Sequence, residues 1–450
     1  MLNAQDNEYL CRIGPGTPMG NFMRQYWMPA IRSDELPAPD CPPVRIRLLG
    51  ESLIGYRTTS GAVGLMQNSC PHRGASMFFG RNEEEGLRCV YHGWKFDVQG
   101  NCVDMPSEPA ESNFRNKVHA TAYPTNERNG IIWAYMGPRE VPPSLPDIEA
   151  NLLCEGPRQI SVLYRPCNWM QGLEGEMDTV HAAFLHSGAS FSEDYEPGTF
   201  GYYQYRQRDA KFDTQETDYG LCNGAYRPAE ADSYYYRITQ ILWPFFHMIP
   251  GGALGEGIKI GAYVPMDDDH HLQWEIGTLP APGSTSGGSN NFLMRGQPVT
   301  GNLEAPLGLR RLPNTSDWYG RFRSDQTLEN DYLIDREEQR TWKSYTGIAG
   351  GRIQDCAMTE TMGTIYDRSH EHLGTTDTMI IRARRKLINM ARALEEHGTV
   401  PPGVDSPEVY RQRSGEIILP RSSDWWESYQ ALRERFNAGV QTTQAPISTT

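Results

Sequence analysis

Long hydrophobic runs are missing from this 450-residue sequence, so no segment is apolar enough to cross a bilayer as a helix. A basic excess is missing as well: 42 lysines and arginines stand against 56 aspartates and glutamates, for a formal net charge of −14. That charge disfavours nucleic acid as a partner. Residues 1–12 lack the basic and then apolar segments of a secretory signal, and we therefore expect a cytoplasmic protein.

Cysteine is sparse, and dinucleotide-binding glycine motifs are absent. Nine cysteines in a chain of this length argue against a disulfide framework, which agrees with a reducing compartment. No Gly-rich fingerprint follows a predicted strand, so the sequence offers no site for a nicotinamide cofactor of its own. Electrons for any redox chemistry must therefore come from a separate protein.

Short strands followed by a mixture of longer strands and helices predict an α+β protein. A chain of 450 residues exceeds one ordinary core, so we expect at least two domains. Alternating apolar residues predict short strands between residues 44 and 135, which would form a small antiparallel β domain. The pattern after residue 150 predicts a larger domain, in which helices cover an antiparallel sheet.

Turn and proline signals place the boundaries of these domains. We expect an N-terminal helical arm over residues 1–40, the small β domain over 41–145, the larger domain over 146–436 and a disordered tail over 437–450. Gly, Ser and Asn are enriched in residues 280–300, which predicts a loop. A lid over a functional site is the alternative interpretation of this segment.

Two short motifs, each with one cysteine and one histidine, carry the strongest chemical signal in the sequence. Cys70 and His72 are separated by one residue, and Cys89 and His92 by two. Two thiolates and two imidazoles can hold a [2Fe–2S] cluster, with both sulfurs on one iron and both nitrogens on the other. The alternative is a zinc site, but zinc motifs usually pair Cys with Cys and His with His, whereas these motifs mix them.

A second candidate metal site follows in the larger domain, where His181 and His186 lie five residues apart. Two imidazoles and one carboxylate form the facial triad of non-haem Fe(II) oxygenases, which leaves positions open for O₂. A regular helix would need a bend to bring both histidines onto one ion. The best candidate for the carboxylate is Asp355, with Glu360 and Asp367 as competitors.

The residues around these motifs resemble those of a known family. The segments C-P-H-R-G at 70–74 and C-V-Y-H-G-W at 89–94 resemble the cluster loops of the Rieske non-haem iron aromatic-ring oxygenases. The whole chain, including G-P-G-T-P-M-G at 14–20 and residues 330–340, resembles the phthalate dioxygenase branch, which has no small β subunit. It is also similar to aryl-ether O-demethylase oxygenases. The resemblance implies a terminal oxygenase that hydroxylates or O-demethylates an aromatic acid, such as a phthalate or a substituted benzoate.

The resemblance also implies cofactors and partners. The chain would carry a Rieske [2Fe–2S] cluster and a mononuclear Fe(II), and O₂ would be the second substrate. A separate NAD(P)H-dependent reductase, with flavin and a [2Fe–2S] cluster of its own, would supply the electrons. The family places its carboxylate ligand well over a hundred residues after the histidine pair, which supports Asp355.

Asp178 is a candidate catalytic residue rather than a metal ligand. It precedes His181 by three residues and can accept a hydrogen bond from that imidazole. In the family, this aspartate also bonds the second cluster histidine of a neighbouring subunit, which corresponds to His92 here. The resemblance therefore implies electron transfer between subunits of a homotrimer or hexamer.

An aromatic carboxylate calls for an arginine, whose guanidinium can bind both oxygens at once. If residues 202–208 form a strand, Arg206 and Arg208 share one face, and Arg237 is the candidate on the next strand. We name these three arginines as candidate substrate-binding residues. The alternative for each is a surface or ion-paired arginine.

Two other functions fit parts of this pattern. A Rieske electron-transfer protein would need the cluster motifs, but it would have no use for an open iron site at His181, His186 and Asp355. A structural or ligand-binding zinc protein would be colourless and silent by EPR. Optical and EPR spectra distinguish the zinc protein from both iron proteins.

Overall fold

The computed structural model describes residues 2–152, 158–278 and 308–438. Within these ranges, helices flank a set of antiparallel sheets. The helices are α1 (Ala4–Cys11), α2 (Pro18–Met23), α3 (Glu149–Leu152), α4 (Trp169–Met177), α5 (Phe200–Arg206), α6 (Arg336–Arg340), α7 (Gly351–Glu360), α8 (Thr378–His397) and α9 (Trp425–Asn437). None of these described helices has the length and apolar character that a membrane span requires.

The first ten strands build three small antiparallel sheets. They are β1 (Trp27–Arg32), β2 (Val44–Leu48), β3 (Glu51–Arg57), β4 (Val63–Gln67), β5 (Arg81–Glu83), β6 (Gly86–Arg88), β7 (Lys95–Phe96), β8 (Cys102–Asp104), β9 (Thr125–Arg128) and β10 (Ile131–Tyr135). Strand β10 lies between β1 and β9, while β2–β4 and β5–β8 form two meanders. The predicted small antiparallel β region is therefore confirmed.

The other strands form one large antiparallel sheet. They are β11 (Arg158–Arg165), β12 (Lys211–Glu216), β13 (Gly220–Pro228), β14 (Ser233–Leu242), β15 (Phe246–Met248), β16 (Lys259–Pro265), β17 (His271–Thr278) and β18 (Gly415–Pro420). Their order is β11-β17-β16-β15-β14-β13-β12, and β18 also pairs with β14. Together with the helices, this sheet confirms the predicted α+β class.

Side-chain alternation gives the large sheet two faces with different partners. On one face, Cys222 and Tyr236 pack against Trp425 of α9. The opposite face lies under α4, because a Cβ added at Gly172 in that helix would meet the ring of Tyr263 on β16. We call this second face the inner face. Strand register places every second residue of β13 to β17 on it.

The predicted strand over residues 202–208 is wrong. Residues Phe200–Arg206 form helix α5, and the next strand begins only at Lys211. Thr199 caps the helix by accepting a hydrogen bond from the backbone N–H of Tyr202 at 3.3 Å. The tyrosines of this segment favour a strand by propensity, but burial of Tyr203 inside the fold decides the backbone conformation.

One hydrophobic core joins parts of the chain that we assigned to different domains. It contains Phe22 and Ile31 from the N-terminal arm, Trp133 from β10, Trp169 from α4 and Phe246 from the large sheet. The domain boundaries remain predictions. The predicted loop over 280–300 lies outside the described residues, and so does the predicted tail beyond residue 438.

Candidate functional site

The two cysteine–histidine motifs lie on loops with the same backbone geometry. In the first loop, the backbone N–H of Gly74 donates to the carbonyl of Cys70 at 2.9 Å. In the second, Gly93 donates to Cys89 at the same distance. Both glycines have positive φ values, 76° and 82°, which favour glycine over other residues. The loops therefore form matching turns that each present one thiol and one imidazole.

The four side chains of these motifs come together where the loops meet. The imidazole rings of His72 and His92 lie 4.3 Å apart, and Trp94 stacks on His72 at 4.2 Å. Burial, together with the nearby thiol of Cys89, raises the pKa of Cys70 to about 11. Nδ1 of His72 is buried without a hydrogen-bond partner among the described residues. An iron ligated by this nitrogen would supply that partner, so the residues fit a Rieske [2Fe–2S] cluster.

His181, His186 and Asp355 bring three potential ligand atoms together. The two Nε2 atoms lie 3.1 Å apart, and Oδ1 of Asp355 lies 3.1 Å from Nε2 of His186 and 3.6 Å from Nε2 of His181. Metal–ligand bonds of about 2.0–2.2 Å that meet at right angles put neighbouring ligand atoms about 3 Å apart. The three atoms therefore fit one face of a metal coordination shell, which is the facial triad of non-haem iron.

The five-residue spacing of the histidines works because α4 ends before them. The helix terminates just before Asp178, and His181–Ala183 form a separate 3-10 turn. Oδ1 of Asp178 accepts the backbone N–H of Val180 at 2.8 Å and that of His181 at 3.3 Å, which closes the turn. The bend that the spacing predicted is confirmed, and it directs both imidazoles toward Asp355 on α7.

Two carboxylates flank the imidazole of His181. Oδ2 of Asp178 lies 3.7 Å from its Nδ1, and Asp355 lies on the Nε2 side. Burial by itself lowers the pKa of His181, but the two carboxylates outweigh burial and raise the pKa to about 9. Burial likewise raises the pKa of Asp355, but the opposing imidazoles bring it below its usual value. This charge arrangement suits a divalent cation, which replaces the proton on the ring.

The competing carboxylates lie elsewhere. Oε1 of Glu360 accepts from Nε of Arg165 at 2.6 Å, and its Oε2 accepts from the hydroxyl of Tyr332 at 2.7 Å. Asp367 is exposed on a later turn. Of the three carboxylates considered from the sequence, Asp355 is the one that joins the histidine pair.

The first two candidate arginines donate to backbone carbonyl oxygens. Arg206, at the end of α5, is exposed and donates to backbone carbonyl oxygens at the end of β13. Arg208 donates to the carbonyls of Ala183 at 2.6 Å and Ser190 at 2.7 Å, so it braces the loop that carries His186. The shared strand face predicted for Arg206 and Arg208 does not exist, because helix α5 ends between them.

Arg237 is buried on the inner face, and it has a neighbour that the sequence did not single out. Its Nη1 donates to Oε1 of Glu416 at 2.6 Å, and its Nε donates to Oγ1 of Thr179, next to Asp178, at 3.2 Å. Arg227 is only 1% exposed, and its Nε and Nη1 have no hydrogen-bond partner among the described residues. Burial lowers the pKa of Arg227 to about 10, so it remains a cation at neutral pH.

Other buried polar atoms without a hydrogen-bond partner lie on the same face as Arg227. They are Nδ2 of Asn223, Oγ1 of Thr239, both ring nitrogens of His247 and Oε2 of Glu416, judged against the described part of the chain. Asn223 and Thr239 are directly opposite each other in the register of β13 and β14. Buried polar atoms normally have partners. The concentration of such atoms makes the inner face a candidate surface for binding a polar ligand.

Glu176, His247 and Glu275 form a second group of possible metal ligands, within 4.8 Å of one another. However, Nζ of Lys259 lies 2.8 Å from Oε2 of Glu275, and the hydroxyl of Tyr263 donates to Glu176 at 2.7 Å. A cation and a hydroxyl thus already engage the two carboxylates. We therefore take this group as part of the polar inner face rather than as a metal centre.

Two family models match the chain. The model described as "Rieske [2Fe-2S] domain" matches residues 26–123, which include both cysteine–histidine loops. The model described as "LigXa C-terminal domain like" matches residues 312–446, which include Asp355. The chain therefore carries a Rieske [2Fe–2S] domain.

Several oxygenase subunits are similar to the chain over nearly its whole length. Identity is 44% over 431 residues with the 3-chlorobenzoate-3,4-dioxygenase oxygenase subunit of Comamonas testosteroni, covering 96% of this chain and 98% of that one. It is 36% over 448 residues with the phthalate 4,5-dioxygenase oxygenase subunit of Pseudomonas putida, covering 96% and 95%. It is 32% over 427 residues with the 5,5'-dehydrodivanillate O-demethylase oxygenase subunit of Sphingobium sp. (strain NBRC 103272 / SYK-6), covering 93% and 86%.

Solved structures resemble the fold at low sequence identity. Dicamba monooxygenase bound to 3,6-dichlorosalicylic acid gives a TM-score of 0.54 at 16% identity, covering 84% of this chain and 100% of that one. The terminal oxygenase of carbazole 1,9a-dioxygenase from Nocardioides aromaticivorans IC177 gives 0.51 at 17% identity, covering 86% and 97%. The fold and the two sites define an iron–sulfur oxygenase subunit. The chain belongs to the Rieske aromatic-ring-hydroxylating oxygenases, as the sequence motifs predicted.

Proposed function

We propose that this chain is the terminal oxygenase component of a multi-component system that hydroxylates or O-demethylates an aromatic acid, phthalate-like or substituted-benzoate-like. The convergence of His181, His186 and Asp355 in a chain with Rieske loops carries the proposal. An electron carrier has no use for such a site, so the geometry favours an oxygenase over that alternative. Relatives named for chlorobenzoate, phthalate and dehydrodivanillate support an aromatic acid as substrate.

In this proposal, each metal group has its own set of protein ligands. The cluster ligands are Cys70, His72, Cys89 and His92, and the mononuclear iron ligands are His181, His186 and Asp355. When bound, the cluster supplies a store for one electron and the iron(II) supplies the site of O₂ reduction. Asp178 holds the turn before His181 and faces its Nδ1, which leaves Nε2 directed at the metal.

Arg227 and Arg237 bind the substrate carboxylate on the inner face. Glu416 already neutralises Arg237, whereas Arg227 faces no carboxylate at ion-pair distance among the described residues. Leaving a buried charge unpaired costs about 3–5 kcal/mol, so an anionic ligand is a favourable partner for this guanidinium. Arg237 donates to Oγ1 of Thr179, which directly follows Asp178, and this contact supports a position of the two arginines beside the mononuclear site. Arg206 and Arg208 are not proposed as substrate ligands, because their guanidinium groups already donate to backbone carbonyl oxygens.

The electrons come from a separate NAD(P)H-dependent reductase with flavin and [2Fe–2S] groups. The relatives' designation as oxygenase subunits supports such a division of labour. We further propose that subunits form a homotrimer or hexamer in which Asp178 meets His92 of the partner subunit. We also propose that the chain consists of a helical arm over residues 1–40, a small domain over 41–145 and a large domain over 146–436. We propose a cytoplasmic location for the protein.

A substrate panel tests the proposed function. Purified full-length protein, a surrogate reductase and NADH are mixed with phthalates, chlorobenzoates, hydroxybenzoates and methoxylated benzoates. We expect at least one acid to give O₂ consumption coupled to a hydroxylated or demethylated product. If the cluster is reduced but every acid gives only uncoupled oxidation of NADH, the electron-carrier function is correct instead.

A further inference from the structure

The two histidines of the mononuclear site differ in the group that faces their second ring nitrogen. Nδ1 of His186 lies 2.8 Å from Oε1 of Gln354, a neutral amide, whereas Nδ1 of His181 faces the carboxylate of Asp178 at 3.7 Å. Gln354 and His186 are both buried. Gln354 directly precedes Asp355 on α7, so consecutive residues of one helix contact His186 at its two nitrogens.

The orientation of the Gln354 amide follows from its other partners. Its Nε2 lies 2.9 Å from the carbonyl oxygen of Ile348 and 3.0 Å from Oγ1 of Thr346. A backbone carbonyl only accepts hydrogen bonds, so the amide atom that faces it must be the nitrogen. The atom that faces His186 is therefore the amide oxygen. Because that oxygen only accepts, Nδ1 of His186 must carry a proton.

We propose that Gln354 is a positioning residue that fixes the tautomer of His186 for metal binding. A neutral imidazole carries one proton, so a proton on Nδ1 leaves the lone pair on Nε2. Nε2 is the atom that lies 3.1 Å from Nε2 of His181 and 3.1 Å from Oδ1 of Asp355. Partners of this kind orient a metal-binding ring and tune its basicity. This inference rests on the proposed mononuclear metal site.

The pair of partners also makes the two imidazoles unequal. A carboxylate beside Nδ1 increases the electron density that a ring donates to a metal more than a neutral amide does. His181 is therefore the more strongly donating ligand and His186 the weaker one. The two bound imidazoles should therefore differ in their spectroscopic couplings to the metal. Loss of Gln354 should also change the affinity for the metal.

Metal titration of the full-length protein tests the proposal. The mononuclear metal is removed by chelation with the cluster intact, and Co(II) binding is followed by visible absorption. Gln354→Met keeps the side-chain length but removes the amide, and we expect its Kd for Co(II) to rise about 10–100-fold. Gln354→Glu keeps an acceptor oxygen and should bind Co(II) nearly as tightly as the wild type.

Gln171 provides a matched control. It is also a buried glutamine, and its Nε2 donates to the carbonyls of Thr359 and Gly363, both at 2.9 Å, while its Oε1 accepts from the backbone N–H of Tyr366 at 2.8 Å. These hydrogen bonds within the described part of the chain do not involve the three ligand side chains. Gln171→Met should lower the Tm as Gln354→Met does, but it should leave the Kd for Co(II) unchanged. A comparable rise in Kd for both variants would mean that loss of stability, not tautomer control, weakens metal binding, and would refute the proposal.

Pulsed EPR of the Cu(II)-loaded, oxidised protein supplies a second measurement. The non-ligating nitrogen of each bound imidazole gives a coupling that depends on its hydrogen bond, so the wild type should show two distinct couplings. Gln354→Met should shift one of them, and Gln171→Met neither. A single shared coupling in the wild type overturns the proposal, even if Gln354→Met does not fold. Failure of the wild type to bind Co(II) or Cu(II) through histidine refutes the metal site itself.

Discussion

At the scale of single residues, Asp178 has two contacts that no other side chain of the site combines. One carboxylate oxygen closes the turn before His181, and the other faces its Nδ1. Asp178→Asn keeps the size of the side chain and its amide oxygen can still accept the backbone N–H groups, but the negative charge is lost. We expect both metal groups to be retained and turnover to fall by about 100-fold.

Single-turnover experiments check this prediction. The pre-reduced variant is mixed with substrate and O₂, and the oxidation of the cluster is followed by its visible absorption. Slow cluster oxidation with full iron occupancy is the expected result. Activity within error of the wild type would remove Asp178 from the electron path.

Arg227 and Arg206 form a second residue-scale comparison, because one is buried without an anion and the other is exposed on backbone carbonyls. Truncating one partner of a buried charge pair costs about 2 kcal/mol or more. We therefore expect Arg227→Met to raise the KM for the preferred acid by about 30-fold or more. Arg206→Met should leave KM unchanged. Equal KM values for the acid and its amide in the wild type would show that no carboxylate is bound.

The two cysteine–histidine motifs could be predicted from their local spacing. The pair His181 and His186 is a weak signal by itself, and it became a candidate because it follows Asp178 in a chain with those motifs. The distant ligand Asp355 was chosen with the support of the family resemblance, since no local pattern links it to the histidines. Arg227 was missed because its importance depends on burial and on strand register, and neither has a local signature. Gln354 was missed for a related reason: a glutamine on a helix has a chemical role only through the ring that the fold brings to it.

At the scale of secondary-structure elements, α4 holds the mononuclear site against the inner face. A Cβ added at Gly172 would lie 2.4 Å from the Tyr263 ring, whereas one added at Gly175 in the same helix would meet Thr359 at an ordinary 3.9 Å. Gly172→Ala should therefore destabilise the fold by about 1–3 kcal/mol through overpacking. Gly175→Ala should stabilise it by up to about 1 kcal/mol, because alanine favours a helix.

Thermal unfolding of the two variants, with iron content measured alongside, checks this pair. We expect Gly172→Ala to lower both the Tm and the occupancy of the mononuclear site, because α4 would be pushed away from the sheet. Equal Tm values for the two variants would contradict the close packing of α4 on β16.

Elements with a clear apolar period were predicted well, and those decided by packing were not. In the sequence, Met379, Ala383 and Leu387 recur at helical spacing, which predicts a helix there, and in α8 all three are buried. The segment that forms α5 was predicted as a strand, because its alternating aromatic and polar residues satisfy that period as well. Its conformation depends on contacts with distant parts of the chain, which a local pattern does not contain.

At the scale of the whole molecule, the proposed oligomer makes one subunit's cluster serve another subunit's iron. Two inactive variants test this directly: Cys70→Ser, which removes a cluster ligand, and His181→Ala, which removes an iron ligand. Co-expressed with different affinity tags and purified through both, they should regain part of the wild-type turnover. The regained activity requires an electron to pass from the cluster of one subunit to the iron of another.

Each variant purified alone is the control for this complementation, and both should be inactive. Absence of turnover in mixed oligomers that contain both tags would contradict electron transfer between subunits. A single monomeric species in analytical ultracentrifugation would contradict the oligomer itself.

Metal analysis combined with EPR tests most directly whether one chain holds two separate iron centres. We expect about three iron atoms and two acid-labile sulfides per chain, and a signal with an average g value below 2 after reduction. His181→Ala should lower the iron content to about two atoms per chain and leave that signal in place. A colourless protein with stoichiometric zinc, or a wild type whose iron content His181→Ala does not change, would contradict the presence of two separate iron centres.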